Sequence, residues 1–123
     1  MIRRILFTAA ACGCLLVAAT DPKLEDAKAK LKAGKYDEAI TALDAQYKAQ
    51  PKNNDVRLVL ADAHLQYGNM MMNNEQMPPF RKYPGALREF RKVLEFDKDN
   101  KKAKDNIALI EGIYRSMGRE VPK

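Results

Sequence analysis

The stretch Gly34-Lys-Tyr-Asp-Glu-Ala-Ile-Thr-Ala-Leu43 joins a glycine to a segment with helical periodicity. Counted from Tyr36, the residues Ala39, Ile40 and Leu43 stand at i+3, i+4 and i+7, which places them on one face of a helix. Gly34 is able to adopt the left-handed conformation that ends a preceding helix. The stretch therefore predicts two helices joined by a tight turn.

The same helical spacing recurs along the chain outside this stretch, and no segment alternates apolar and polar residues for long enough to be a strand. Pro51 and Asn53 end the helix that begins at Tyr36, and Pro84 is placed in the first turn of a later helix. The predicted fold class is all-α, with about five helices in antiparallel helix–turn–helix units. The predicted core includes Leu43, Leu60, Phe90 and Ile107.

The chain repeats itself at a spacing of 34 residues. Ala27 and Gly34 recur as Ala61 and Gly68, so Gly68 is interpreted as a turn residue like Gly34. Such a period is typical of stacked helical hairpins, in which each hairpin covers an apolar face of its neighbour.

Beyond Gly68 the spacing increases to 47 residues, because Tyr36 recurs as Tyr83. Fourteen residues separate Gly68 from Tyr83, whereas Lys35 alone separates Gly34 from Tyr36, so 13 residues are additional. Residues 69–82 are therefore predicted to be an insertion between the two helices of the second unit.

These patterns resemble the tetratricopeptide repeat, a 34-residue helix–turn–helix unit. The resemblance rests on the small residues Ala27 and Ala61, on the turn Gly34-Lys-Tyr-Asp-Glu-Ala39, and on the closing Pro51-Lys-Asn53. It implies about two and a half repeats in a helical domain of residues 20–123. It also implies a non-catalytic protein–protein interaction module, for instance an adaptor or assembly factor.

The first 19 residues have the pattern of a secretory signal peptide. Arg3 and Arg4 form a short basic segment, residues 5–19 contain no charge, and Val17-Ala18-Ala19 supplies small residues for a signal peptidase. We therefore predict cleavage after Ala19 and a periplasmic or secreted protein. The alternatives are a membrane-anchored lipoprotein attached through Cys12, and a scaffold tethered by an uncleaved N-terminus.

The chain is basic, with a net charge of +6 that falls to +4 when residues 1–19 are removed. A translocated protein does not normally meet nucleic acid, so we do not interpret the charge as DNA or RNA binding. The expected partner is a protein or peptide, and a membrane only if the N-terminus is retained or lipidated. The pattern makes no prediction of the oligomeric state.

The inventory of reactive side chains argues against catalysis. Residues 20–123 contain one His, one Ser, two Thr and no Cys, so the sequence specifies no nucleophile with its base. Paired acids such as Asp37 and Glu38 are typical turn residues of these repeats. We expect neither enzyme activity nor a cofactor.

The resemblance implies a concave face, formed by the first helix of each unit, that holds an extended protein segment. The Lys and Asn pair with which chaperone-binding members clamp a terminal carboxylate is missing, since Leu24 and Lys28 occupy the first pair of positions. The predicted partner-binding residues are Lys28, Leu31, Lys32, Leu58, Asp62, Leu65, Gln66, Lys102, Asp105 and Leu109.

The insertion is rich in methionine and contains a double proline. Three roles stay open for its apolar residues: a lid over the groove, a partner surface, and core packing. Because Phe80 and Met77 are costly to leave in water, we expect the segment to fold back on the helices. An alternative function is copper handling, with His64 and Met71 as ligands seven residues apart on one helix face. The apolar residues of the insertion are Met70, Met71, Met72, Met77 and Phe80.

Overall fold

The computed structural model describes residues 21–123, and the predicted signal peptide lies outside the described residues. Within this range the chain forms five α-helices and no strand, which confirms the all-α class. The helices are α1 (Pro22–Lys32), α2 (Tyr36–Ala49), α3 (Asn54–Asn73), α4 (Pro79–Phe96) and α5 (Lys101–Ser116). They pack as hairpins, α1 against α2 and α3 against α4, with α3 also contacting α1 and α2. Between residues 21 and 123, no helix combines the length and the apolar character needed to cross a bilayer.

The predicted turn at Gly34 is confirmed. Gly34 has a φ of 75°, in the left-handed region that favours glycine. The N–H groups of Gly34 and Lys35 donate to the carbonyls of Leu31 and Lys30, at 3.0 and 2.9 Å. These two bonds satisfy the last carbonyls of α1 and leave only three residues between α1 and α2.

Asn53 and Asn100 make equivalent contacts at the starts of α3 and α5. The Asn53 side chain accepts a hydrogen bond from the N–H of Val56 at 3.3 Å, and the Asn100 side chain accepts one from the N–H of Ala103 at 3.0 Å. Each side-chain amide also donates to the residue three positions earlier. The two caps stand 47 residues apart, so the structure repeats at the spacing that the sequence repeats.

Residues 69–82 do not form a separate loop. α3 continues to Asn73 and α4 begins at Pro79, which leaves only residues 74–78 between the two helices. Gly68 therefore lies inside α3 and Pro84 lies inside α4. The predictions of a turn at Gly68 and of a helix start at Pro84 are wrong.

The physical reason at Gly68 is the close approach of α4. A Cβ atom at position 68 would lie 2.6 Å from the ring of Phe90, so only glycine allows this ring to pack against α3. The residues that follow, Asn-Met-Met-Met, are compatible with a helix, and α3 continues through them. At α4, Pro79 takes the first-turn position that suits proline, and Pro84 costs the helix one internal hydrogen bond instead.

The buried apolar residues form two clusters. The first cluster joins α1, α2 and α3 around Leu43 and Leu60, and the second joins α3, α4 and α5 around Phe90. Leu43, Leu60 and Phe90 are fully buried, as predicted. Ile107 is half-buried at the edge of the second cluster, and Phe96 packs against both clusters.

Candidate functional site

A groove of about 220 Å³ lies between α1 and α3, the first helices of the two hairpins. Each helix contributes residues at i, i+3, i+4 or i+7 spacing, so each contributes one face. Five of the six residues that line the groove belong to the predicted concave face. The lining residues are Lys28, Leu31 and Lys32 of α1 and Val59, Asp62 and Gln66 of α3.

The groove combines apolar and charged side chains. Leu31 is buried and Val59 is half-buried, and both pack in the first core cluster. The Gln66 amide donates a hydrogen bond of 2.6 Å to the Asp62 carboxylate one turn away, and Lys32 is exposed. The groove therefore has an apolar base, with two lysines on its α1 wall and one carboxylate on its α3 wall.

The remaining predicted binding residues lie elsewhere. Leu65 is buried in the second core cluster. Leu58 is 47% exposed on α3 and Leu109 is 55% exposed on α5, where Lys102 and Asp105 are also exposed. The structure thus brings together five residues of the predicted set, three on α1 and Asp62 and Gln66 on α3. That these residues bind a partner stays a prediction.

Val59 lines the groove but is absent from the predicted set. The sequence does contain a signal for it, because Val59, Asp62 and Gln66 stand at i, i+3 and i+7. The predicted face of α3 includes Leu58 instead, together with Asp62, Leu65 and Gln66. One residue rotates a helix face by about 100°, which separates Leu58 from Val59.

The methionines of the insertion pack against the protein core. Met71 is buried, and Met70, Met72 and Met77 are half-buried against the second cluster. Phe80 is 72% exposed, so the expectation that it folds back on the helices is wrong. Phe80 lies in the first turn of α4, where its ring is exposed although Leu87, seven residues later on the same side of the helix, is buried.

His64 makes a buried polar contact with α4. Its Nδ1 atom lies 2.7 Å from Oε2 of Glu89, and its ring stacks on Phe96 with 5.9 Å between ring centres. The Met71 sulfur lies 3.0 Å from the position that a Cβ on Gly85 would take. Within residues 21–123 no group of three His, Cys, Asp or Glu side chains could hold a metal ion. Packing accounts for both residues, and copper binding by His64 and Met71 stays a prediction.

Tyr36 and Tyr67 tie α2 to α3 next to the groove. Their rings are stacked, with centres 5.3 Å apart and planes inclined by 11°. The Tyr67 hydroxyl donates to the Asp37 carboxylate at 3.5 Å. Burial raises the pKa of Tyr67 above its ordinary value of 10.0, and the neighbouring Asp37 carboxylate raises this pKa further. The contact holds α3 against α2 at Tyr67, which directly follows the groove residue Gln66.

A larger cavity, of about 670 Å³, lies between the start of α1 and α2. Its wall on α2 consists largely of Ala42, Ala45 and Ala49, and the Gln46 amide in it is already hydrogen-bonded to Asp21. This cavity shares no lining residue with the α1–α3 groove. Unlike the groove, it does not lie between the first helices of two successive hairpins.

Within residues 21–123, the single serine and the single histidine are engaged in structural contacts. The single serine, Ser116, donates to the carbonyl of Ile113 in its own helix at 2.8 Å. The single histidine, His64, contacts Glu89, and both side chains are about nine-tenths buried. In the described part of the chain, Ser116 and His64 therefore each have a structural partner.

The fold and the groove define the class, which is an all-α protein built from helical hairpins packed side by side. The family model of the tetratricopeptide repeat matches residues 30–70, about a third of the chain. This segment includes the Gly34 turn, the whole of α2 and most of α3, and it carries a tetratricopeptide repeat. No curated protein and no solved structure matches the chain. Tetratricopeptide repeats typically bind protein partners, and proteins of this family are generally non-catalytic.

Proposed function

We propose that the protein is a non-catalytic interaction module, an adaptor or assembly factor, that binds an extended protein segment in the α1–α3 groove. The observation that carries this proposal is the groove itself. It lies between the first helices of two successive hairpins, and residues 30–70, which carry the repeat, supply most of its wall.

The size of the groove favours a polypeptide over a small molecule. Pockets that enclose small ligands usually have volumes of about 300–1,000 Å³, and this groove has about 220 Å³. That space accommodates an apolar side chain against Leu31 and Val59. Lys32 on one wall and Asp62 on the other then contact groups of opposite charge on the bound segment.

A photo-crosslinking amino acid tests the groove. Placed at position 66, it should form an adduct with a protein partner in cells, because Gln66 lines the groove. The matched control is position 48, which is exposed on α2 and outside the groove. Adducts at position 48 as abundant as those at position 66 would contradict the proposal, and so would the absence of adducts at position 66.

A pair of charge reversals sharpens the same test. Lys32→Glu places a negative charge on the wall of the groove and should lower the yield of the adduct at position 66. Lys48→Glu makes the same change of charge on α2 and should leave the yield unchanged. Equal yields in the two variants would show that Lys32 does not contact the partner.

We further propose that this module works after export, in the periplasm or outside the cell. The support is the basic start, the uncharged residues 5–19 and the small residues at 17–19. The N-terminal mass of the exported protein should correspond to a start at Thr20. A lipidated Cys12 would establish the lipoprotein alternative, and an intact Met1 would establish the tethered one.

A further inference from the structure

The outer face of α4 is strongly cationic. Arg81, Arg88, Arg91 and Lys92 fall within about a third of the helix circumference, opposite the side that carries Phe90 and packs in the core. Arg81, Arg88 and Lys92 are exposed, and Arg91 is half-buried. We define this face, together with Phe80, as the cationic face of α4.

The acids of α4 do little to neutralise this face. Glu89 is buried and contacts His64 at 2.7 Å, and its other oxygen lies 3.9 Å from Arg88. Glu95 lies on the cationic face, 3.3 Å from Lys92, and more than half of its side chain is exposed. One exposed acid of α4 therefore accompanies four cations. The tail lines a cavity of about 310 Å³ on this face together with Arg88 and Arg91.

An aromatic ring stands at the N-terminal end of the same face. Phe80 is 72% exposed, the most exposed of the large apolar side chains in residues 21–123. It lies about 100° around the helix from Arg81 and about 80° from Arg88, so the ring stands at one edge of the face that carries these cations. Pro79 beside it is also exposed, and the double proline starts α4 at this point. The ring and the cations give this side of α4 both an apolar and a charged component.

We propose that the cationic face of α4 binds the surface of an anionic lipid bilayer. A row of separate cations attracts a sheet of negative head groups without a precise partner for each charge. An apolar ring at one end of the row enters the boundary between head groups and acyl chains, as aromatic residues of interfacial helices do. An acidic peptide would neutralise the cations but would leave the Phe80 ring without an apolar environment.

This surface is separate from the proposed peptide groove. The groove is lined by α1 and α3, whereas the cationic face belongs to α4 and the tail. A protein that used both would hold its partner beside a membrane. Because the two surfaces share no residue, either proposal can fail without the other.

A single tryptophan tests the proposal in the full chain. The protein contains no Trp, so Phe80→Trp introduces a unique fluorescent reporter at an exposed position. We expect its emission to shift to shorter wavelength with vesicles that contain phosphatidylglycerol, and to be quenched when the vesicles carry brominated acyl chains. Vesicles of phosphatidylcholine alone should produce neither change.

Two other single-tryptophan variants are the matched controls. Leu58→Trp and Leu109→Trp place the reporter at exposed apolar positions on α3 and α5. Neither should respond like position 80. If residues 5–19 alone inserted into the vesicles, the reporter at position 80 would not respond, and this result would overturn the proposal. A response of equal size at all three positions would also overturn it.

Removal of charge tests the role of the cations. In the Phe80→Trp protein, Arg88→Gln with Lys92→Gln should weaken vesicle binding roughly ten- to thirty-fold, because each cation near an anionic surface contributes about a factor of five. Lys48→Gln with Lys52→Gln removes two exposed cations from another surface and should have little effect. Unchanged binding in the first variant would overturn the proposal. A response to soluble poly-glutamate but not to vesicles would also overturn it, in favour of an acidic polypeptide.

Discussion

The α1–α2 hairpin and the α3–α4 hairpin share a residue pattern, but the second hairpin is longer at the end where its helices are joined. α1 ends at the position equivalent to Gln66, whereas α3 continues to Asn73, seven residues further. α2 begins at the position equivalent to Tyr83, whereas α4 begins at Pro79, four residues earlier. The inserted residues therefore lengthen the two helices of the second hairpin.

The equivalent glycines of the two hairpins have different physical roles. Gly34 has a positive φ and ends α1, and a Cβ built on it would meet no atom within 4 Å. Gly68 is helical, and a Cβ there would collide with the Phe90 ring. The repeated glycine is therefore required in the first hairpin for its backbone conformation and in the second for its lack of a side chain.

The hairpins also differ in their polar contacts. In the second hairpin His64 and Glu89 form a buried pair across α3 and α4. In the first hairpin the equivalent residues are Lys30, which contacts Asp26 at 3.0 Å in its own helix, and Ala42. The second hairpin thus contains a specific cross-helix contact at a position where the first has an alanine.

The largest expected effect comes from the core of the second hairpin. Phe90→Ala should lower the free energy of unfolding by about 3–5 kcal/mol, because it removes a fully buried ring and leaves a cavity. Phe80→Ala removes the same side chain from an exposed position and should change stability by no more than about 0.5 kcal/mol. Urea unfolding followed by circular dichroism measures both. Similar losses in the two variants would contradict the placement of α4.

The next effect concerns the polar pair of the second hairpin. His64→Ala leaves the buried Glu89 without its 2.7 Å partner and should cost at least about 1–3 kcal/mol. The double variant His64→Ala with Glu89→Ala should cost less than the sum of the two single variants, because the interaction is lost only once. Additive costs in this cycle would show that the two side chains do not interact.

A smaller loss is expected at the glycine of the second hairpin. Gly68→Ala crowds the Phe90 ring but favours the helix, and the net result should be a loss of about 1–2 kcal/mol. Gly112→Ala is the control, because a Cβ there meets no atom within 4 Å. This substitution should stabilise α5 by up to about 1 kcal/mol. Stabilisation by both substitutions would place Gly68 outside the contact between α3 and α4.

The smallest expected effect is a pH dependence of the free energy of unfolding, caused by Tyr67 where the two hairpins meet. The folded state raises the pKa of Tyr67, so the unfolded state loses this proton first as the pH rises towards and above about 10. The contribution of Tyr67 is complete well below pH 10 and is lost as the pH rises towards the folded-state pKa. Tyr67→Phe should therefore reduce the loss of stability between about pH 9 and pH 11. An unchanged loss in this variant would assign the alkaline effect to other groups.

Much of the fold is predictable from local signals. The turn at Gly34 follows from a glycine between two periodic segments, and the end of the helix that begins at Tyr36 follows from Pro51 and Asn53. The groove residues Lys28 and Asp62 follow from the same register, because side chains three or four positions apart share a helix face. Each of these predictions uses residues that are close together in the sequence.

The features that could not be predicted depend on contacts between helices. Whether Gly68 turns or continues a helix is decided by Phe90, which is 22 residues away in the sequence. The pairing of His64 with Glu89 likewise joins residues 25 positions apart. The only sequence signal for that pair is that each residue is polar and lies on the apolar face of its helix. For Phe80, hydrophobicity predicts burial, but the ring lies in the first turn of α4 and is exposed, although Leu87 on the same side of the helix is buried.

Hydrogen exchange at residues 70–73 tests most directly whether the insertion lengthens the second hairpin. In the structure these amides belong to α3, two or more residues beyond Gly68. We predict that the amides of residues 70–73 exchange slowly, like the amides of residues 60–65 in the same helix. Exchange at residues 70–73 as fast as in an unstructured peptide, with residues 60–65 still protected, would show that α3 ends at Gly68 and that the insertion is a loop.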